Sequence, residues 1–107
     1  MLDKTKVREI AESYTNRIIA EYSPKQVILF GSYVHGHSRE DSDIDIAVVF
    51  DVAPGEFLDT WAHLLKLRRG LSFDIETHLL DETMTRCGFL EHIRDTGEVL
   101  YEAHPLA

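Results

Sequence analysis

Two acidic residues, Asp43 and Asp45, occupy alternate positions in an apolar stretch that is typical of a β-strand. Side chains alternate between the two faces of a strand, so both carboxylates point to one face, with their Cα atoms about 7 Å apart. Two negative charges at that spacing repel each other unless a cation or hydrogen-bond donors compensate. Magnesium prefers carboxylate oxygens and keeps positions for water and substrate phosphates. The pair therefore predicts a metal and nucleotide site.

The dipeptide Gly31-Ser32 follows a short apolar run and stands ten residues before Asp43. A glycine leaves room for a phosphate to approach the backbone, and the Ser32 hydroxyl and nearby N–H groups could donate to the phosphate oxygens. The dipeptide is common in proteins, so its position between two predicted strands is what favours a phosphate-binding bend.

A third acidic residue lies further along the chain, where Asp74 and Glu76 alternate in a predicted strand. Both would share a face, so the pattern leaves a choice between them. We prefer Asp74, because it lies nearer the start of the strand between two apolar residues. Three clustered carboxylates can hold two divalent ions, and the third can help to deprotonate an attacking hydroxyl.

The elements that must position these residues follow from hydrophobic periodicity. Helices are predicted between Asp3 and Pro24, from Phe57 to the Arg68-Arg69-Gly70 end, and over about 82–95; strands over 26–30, 43–50, about 71–78 and 99–101. This order predicts an α+β fold with a mixed β-sheet covered by helices. Phe57, Trp61 and Leu64 match the helical period and are predicted to lie in the core.

Composition limits the class of protein. The 107 residues and 44% hydrophobic content predict one domain over 1–107. A net charge of −8 argues against direct nucleic-acid binding and favours a basic partner or a cation. The sequence has no apolar run of membrane-spanning length and no signal peptide, so we expect a cytoplasmic protein without a membrane contact. The single Cys87 excludes an intrachain disulfide.

The motifs together resemble a known family. Phe30-Gly31-Ser32, then Asp43-Ile44-Asp45-Ile46, then Phe73-Asp74-Ile75 look like the signature of the DNA polymerase β nucleotidyltransferase superfamily. The stretch 31–43 is similar to its small bacterial members, the minimal nucleotidyltransferases, and the resemblance extends from the first helix to 97–101. It implies a polymerase β-like nucleotidyltransferase core.

The resemblance also implies the catalytic and metal-binding residues. Asp43 and Asp45 would coordinate two Mg²⁺ ions, and Asp74 would complete the catalytic metal site. All three would act as catalytic residues.

The nucleotide-binding residues follow from the same resemblance. Gly31 and Ser32 would hold the triphosphate of ATP, with Ser42 and Arg39 as further nucleotide-binding residues. Relatives often have arginine where this chain has His35, and Arg39 in the same loop would supply positive charge in its place.

Resemblance to minimal nucleotidyltransferases implies an antitoxin that transfers AMP from ATP to a tyrosine of a HEPN-type RNase toxin and releases pyrophosphate. Since 107 residues are nearly used up by the core, the acceptor is expected to come from another molecule. A hetero-oligomer with the toxin or a homo-oligomer would be the assembled form.

Two alternatives stay open at this point. A catalytically weak or inactive antitoxin could mask the toxin by binding alone, with its acidic surface against a basic RNase face. A small-molecule nucleotidyltransferase of the aminoglycoside type could use its acidic charge to attract a cationic drug.

Overall fold

A computed structural model describes residues 4–31, 44–52, 54–71, 75–84 and 88–103 of the chain. Its elements, in chain order, are α1 (Lys4–Glu21), β1 (Gln26–Phe30), β2 (Ile44–Phe50), α2 (Phe57–Lys66), β3 (Ile75–Asp81), a 3-10 turn (Glu82–Met84), α3 (Phe89–Thr96) and β4 (Glu98–Glu102). The predicted α+β class is confirmed. No helix in these ranges is long and apolar enough to cross a membrane.

The four strands form one mixed sheet in the order β3-β2-β1-β4. Strand β1 pairs antiparallel with both β2 and β4, whereas β2 and β3 run parallel. The central strands are nearly all buried, which explains their continuous apolar sequences. The strands β3 and β4 are the two edges, as expected for the short run at 99–101.

Apolar residues on the two faces of the sheet form two separate cores. The larger core joins one face to α1 and α2 and includes Ile44, Ile46 and Leu64. The smaller core joins the other face to α3 and includes Ala47 and Ile93. Strand β2 therefore contributes alternate residues to both cores, as its period of two requires.

The third strand lies later in the chain than predicted. It was expected over about Leu71 to His78, but β3 spans Ile75–Asp81. After α2 the chain makes a closed turn in which the Leu71 N–H donates to the Arg68 carbonyl at 3.0 Å. Leu71 therefore belongs to the turn and not to the strand. At the other end, the alternation of buried and more exposed side chains continues beyond His78 to Asp81.

The helix predicted over about 82–95 is interrupted. The chain forms a 3-10 turn at Glu82–Met84 and starts α3 only at Phe89. Gly88 has φ 72°, a left-handed conformation that an α-helix cannot contain, and this glycine separates the two pieces.

Two residues that were predicted to be core are partly exposed. Leu64 is fully buried, but Phe57 and Trp61 are 37% and 38% exposed. Helix α2 packs near the edge strand β3, and the sheet does not continue beyond that strand. The outer part of its apolar stripe therefore extends past the sheet.

Tyr14 of α1 connects three elements inside the larger core. Its hydroxyl donates to the Leu64 carbonyl of α2 at 2.6 Å and lies 2.7 Å from the Thr77 hydroxyl of β3. Burial raises the pKa of the Tyr14 phenol above its ordinary value, so the group stays protonated and remains a donor.

We expect Tyr14→Phe to lower the free energy of unfolding by about 1–3 kcal/mol, because a buried carbonyl and a buried hydroxyl lose their partner. Denaturant unfolding measures the change. As a control, Thr96→Ala removes a hydroxyl that makes an exposed hydrogen bond within α3, to the His92 carbonyl at 2.7 Å, and should change stability by less than about 0.5 kcal/mol. Equal effects of the two substitutions would contradict the connecting role of Tyr14.

A polar network joins the start of β1 to α3. Arg94 of α3 donates to the carboxylate of Glu82, and Lys25 donates to its other oxygen at 2.9 Å. Hydrogen bonds first from Arg94 and then from Lys25 lower the pKa of Glu82 to about 2.

Because the folded-state pKa of Glu82 lies below its ordinary value of 4.5, its contribution to stability is present above pH 4.5 and is lost as the pH falls through about 2. Glu82→Gln should remove that part of the acid dependence. The measurement is urea unfolding from pH 7 down to pH 2. The exposed Glu9→Gln on α1 is the control substitution. A Glu82→Gln profile parallel to wild type would show that the network does not stabilise the fold.

Candidate functional site

Asp45 is the second residue of β2, and its side chain lies on the α3 face of the sheet. Its neighbours Ile44 and Ile46 are buried in the larger core, so alternation turns Asp45 to the opposite face. The side chain is 21% exposed, which leaves the carboxylate within reach of a ligand.

Strand pairing determines which residues flank Asp45. Phe30 is its partner on β1, and Glu76 is its partner on β3. Gly31, the next residue after Phe30, has φ 87°, a conformation that favours glycine. A Cβ built on Gly31 would overlap the Oδ2 atom of Asp45. The position therefore needs glycine both for its backbone and for the space beside the carboxylate.

His78 reaches the same carboxylate from β3. Its Nε2 atom lies 3.3 Å from the Asp45 Oδ1 atom. The ligand atoms of Asp45, Glu76 and His78 all lie within 4.8 Å of one another. Carboxylate oxygens suit Mg²⁺ and imidazole nitrogen suits the first-row transition metals, so the donor set fits a divalent cation.

Aromatic rings surround His78 and restrict its orientation. The centroid of its ring lies 5.0 Å from that of Phe30 and 6.5 Å from that of Phe89, and the two phenylalanine centroids are 6.1 Å apart. The three rings come from three elements around Asp45: Phe30 from β1, His78 from β3 and Phe89 from α3. The edge contact with Phe30 and the tilted contact with Phe89 hold the imidazole beside the carboxylate.

The structure brings together two of the residues that the sequence singled out, Gly31 and Asp45. The other predicted site residues lie outside the described residues: Ser32, Arg39, Ser42, Asp43 and Asp74. Glu76, the alternative to Asp74 as the third acid, is the direct partner of Asp45. The sequence prediction did not include His78, although it follows the same alternation as Glu76.

Known sequences that are similar to this chain are nucleotidyltransferases. Residues 8–105 match the family described as "Polymerase beta, Nucleotidyltransferase". The protein MJ0604 of Methanocaldococcus jannaschii, named as a protein adenylyltransferase, is 34% identical over 97 residues, which cover 89% of this chain and 90% of that protein. Protein adenylyltransferase MntA of Thermococcus cleftensis is 31% identical over 77 residues, which cover 70% of this chain and 77% of that protein.

Two solved structures with a similar fold come from nucleotidyltransferase and toxin–antitoxin proteins. One is described as a minimal nucleotidyltransferase. It has a TM-score of 0.64 and 26% sequence identity, and the match covers 90% of this chain and 94% of that chain. The other is a chain of a toxin–antitoxin complex with AMP-PNP. It has a TM-score of 0.61 and 25% sequence identity, and the match covers 95% of this chain and 75% of that chain.

We expect Gly31→Ala to displace the Asp45 carboxylate, because the new methyl group would occupy its place. The matched control is Gly70→Ala, where φ is 81° but no atom lies within 4 Å of the added Cβ. Both should lose about 1–2 kcal/mol of stability from backbone strain. Only Gly31→Ala should also weaken Mn²⁺ binding measured by calorimetry, and equal Mn²⁺ affinities in the two variants would contradict this account.

Proposed function

Because this chain belongs to the polymerase beta nucleotidyltransferase family, we propose that it transfers AMP from ATP to a hydroxyl of a toxin protein and so acts as that toxin's antitoxin. Relatives named as protein adenylyltransferases match most of its length, and a toxin–antitoxin complex shares its fold. These likenesses support an enzyme that modifies a partner protein. It would act in the cytoplasm, where ATP is available.

The observation that carries the proposal is the close approach of Gly31 to Asp45. A strand that ends in a left-handed glycine presents backbone beside a carboxylate, which is what a bound triphosphate and its cation require. The half-buried position of Asp45, with Glu76 alongside, suits charge stabilisation in a partly dry site.

In the proposed reaction, the acceptor oxygen attacks the α-phosphorus of ATP, the bond from that phosphorus to pyrophosphate breaks, and the Asp74 carboxylate would take the hydroxyl proton. Asp43, Asp45 and Asp74 would hold two Mg²⁺ ions, which would neutralise the triphosphate and lower the pKa of the acceptor hydroxyl. Gly31, Ser32, Arg39 and Ser42 would hold the nucleotide. The protein mainly aligns the reactants and stabilises the developing charge.

The acceptor would be a tyrosine of a HEPN-type toxin. A net charge of −8 favours association with a basic protein, and the relatives' names specify protein rather than small-molecule acceptors. A small-molecule acceptor of the aminoglycoside type is therefore the weaker alternative.

The test uses ATP labelled at the α-phosphate, Mg²⁺, this protein and a HEPN-type toxin as the candidate acceptor. We expect the label on a tyrosine of that partner and a loss of at least about a hundredfold in rate for Asp45→Asn, since the carboxylate supplies charge to the reacting centre. Asp51→Asn changes an exposed carboxylate at the far end of β2 and should keep full rate.

Neutralisation of the toxin in growing cells separates transfer from masking. If Asp45→Asn still binds the toxin and protects the cells fully, the chain acts by binding alone. If the label appears on an aminoglycoside and not on the partner, the protein acceptor is wrong.

A further inference from the structure

A groove runs between the first turns of α2 and the outer edge of β3. It has a volume of about 410 Å³ and is lined by Phe57, Leu58 and Trp61 of α2 and by residues 76–80 of β3. Leu58 is 71% exposed, although it belongs to the apolar stripe of its helix. Three large apolar side chains on adjacent turns form a patch of the kind that marks an interaction site.

The groove continues into the candidate active site. Glu76 and His78 line the groove and also belong to the donor cluster at Asp45. A molecule bound in the groove would therefore lie beside the Asp45 cluster, where the proposed AMP transfer takes place. Nothing else in the proposed function accounts for an apolar surface at this position.

The edge of β3 is closed to an added strand along its first half. The Trp61 indole N–H donates to the Thr77 carbonyl at 3.0 Å, and Arg68 donates to the Ile75 carbonyl at 2.7 Å. These bonds occupy the outward carbonyls that a pairing strand would need. Recognition in the groove would rest on side chains and shape.

A carboxylate lines the groove, and the chain as a whole is acidic. Glu76 lines the groove and is exposed on β3, and the net charge of the chain is −8. An apolar floor beside a carboxylate, on an acidic protein, complements a protein surface that presents apolar side chains among lysines or arginines.

We propose that this α2–β3 groove is the docking surface for the protein acceptor, holding an apolar side chain of the partner so that the modified hydroxyl reaches Asp45. The inference rests on the proposed function, because it places the acceptor of that same reaction. It adds a binding surface on α2, outside the predicted nucleotide and metal site.

The test substitutes Leu58→Lys, which puts a positive charge against a basic partner at a position that is mostly exposed. Val99→Lys is the matched control: Val99 is 41% exposed and lies on β4, at the opposite edge of the sheet. Circular dichroism verifies folding, and Leu58→Ala gives a milder change. Binding of the same HEPN-type toxin is measured by calorimetry with Asp45→Asn added, so that the partner stays unmodified.

We expect Leu58→Lys to weaken partner binding at least about tenfold, as for an interface side chain worth over about 1 kcal/mol, and to raise KM for the partner equally. The affinity for ATP should be unchanged, and Val99→Lys should match the parent protein. Equal effects of the two lysine variants, unchanged partner affinity with altered self-association, or weaker ATP binding would each overturn the docking surface. If the parent binds the partner through Leu58 but transfers no AMP, the proposed reaction fails and the groove stands.

Discussion

The pairing of β2 with an antiparallel strand on one side and a parallel strand on the other determines what surrounds Asp45. The antiparallel partner brings the end of β1, and with it Gly31, to the carboxylate. The parallel partner places Glu76 directly opposite. Because a shift of one residue in either pairing would turn the side chains to the other face, the two apolar cores stabilise this register.

Much of the fold followed from local patterns. The first strand, Gln26–Phe30, was predicted with its observed bounds, since a short β-branched run between a proline and a glycine permits few alternatives. The start of β3 was not, because the turn at 67–71 has a sequence that is compatible with either strand or turn. Gly88 divided a predicted helix because a glycine inside an apparently helical pattern does not reveal its own φ.

The sequence predicted those parts of the site that depend on the alternation of side chains along a strand and on the spacing of residues along the chain. Gly31 and Asp45 could be placed together because the two strands that carry them are consecutive. The neighbour of Asp45 on β3 depends on register, which sequence alone does not fix for a parallel pair joined by a helix. The exposure of Trp61 was also out of reach, since helical periodicity identifies an apolar stripe but not what covers it.

The Tyr14 hydroxyl bonds have a consequence for molecular recognition. By contacting both the Leu64 carbonyl of α2 and the Thr77 hydroxyl of β3, Tyr14 ties together the two walls of the groove from the interior side. The groove is therefore preorganised, and its walls lose little conformational entropy when a ligand enters. Adaptation in shape would fall to the incoming molecule, so a rigid partner of the wrong contour would be rejected by steric fit.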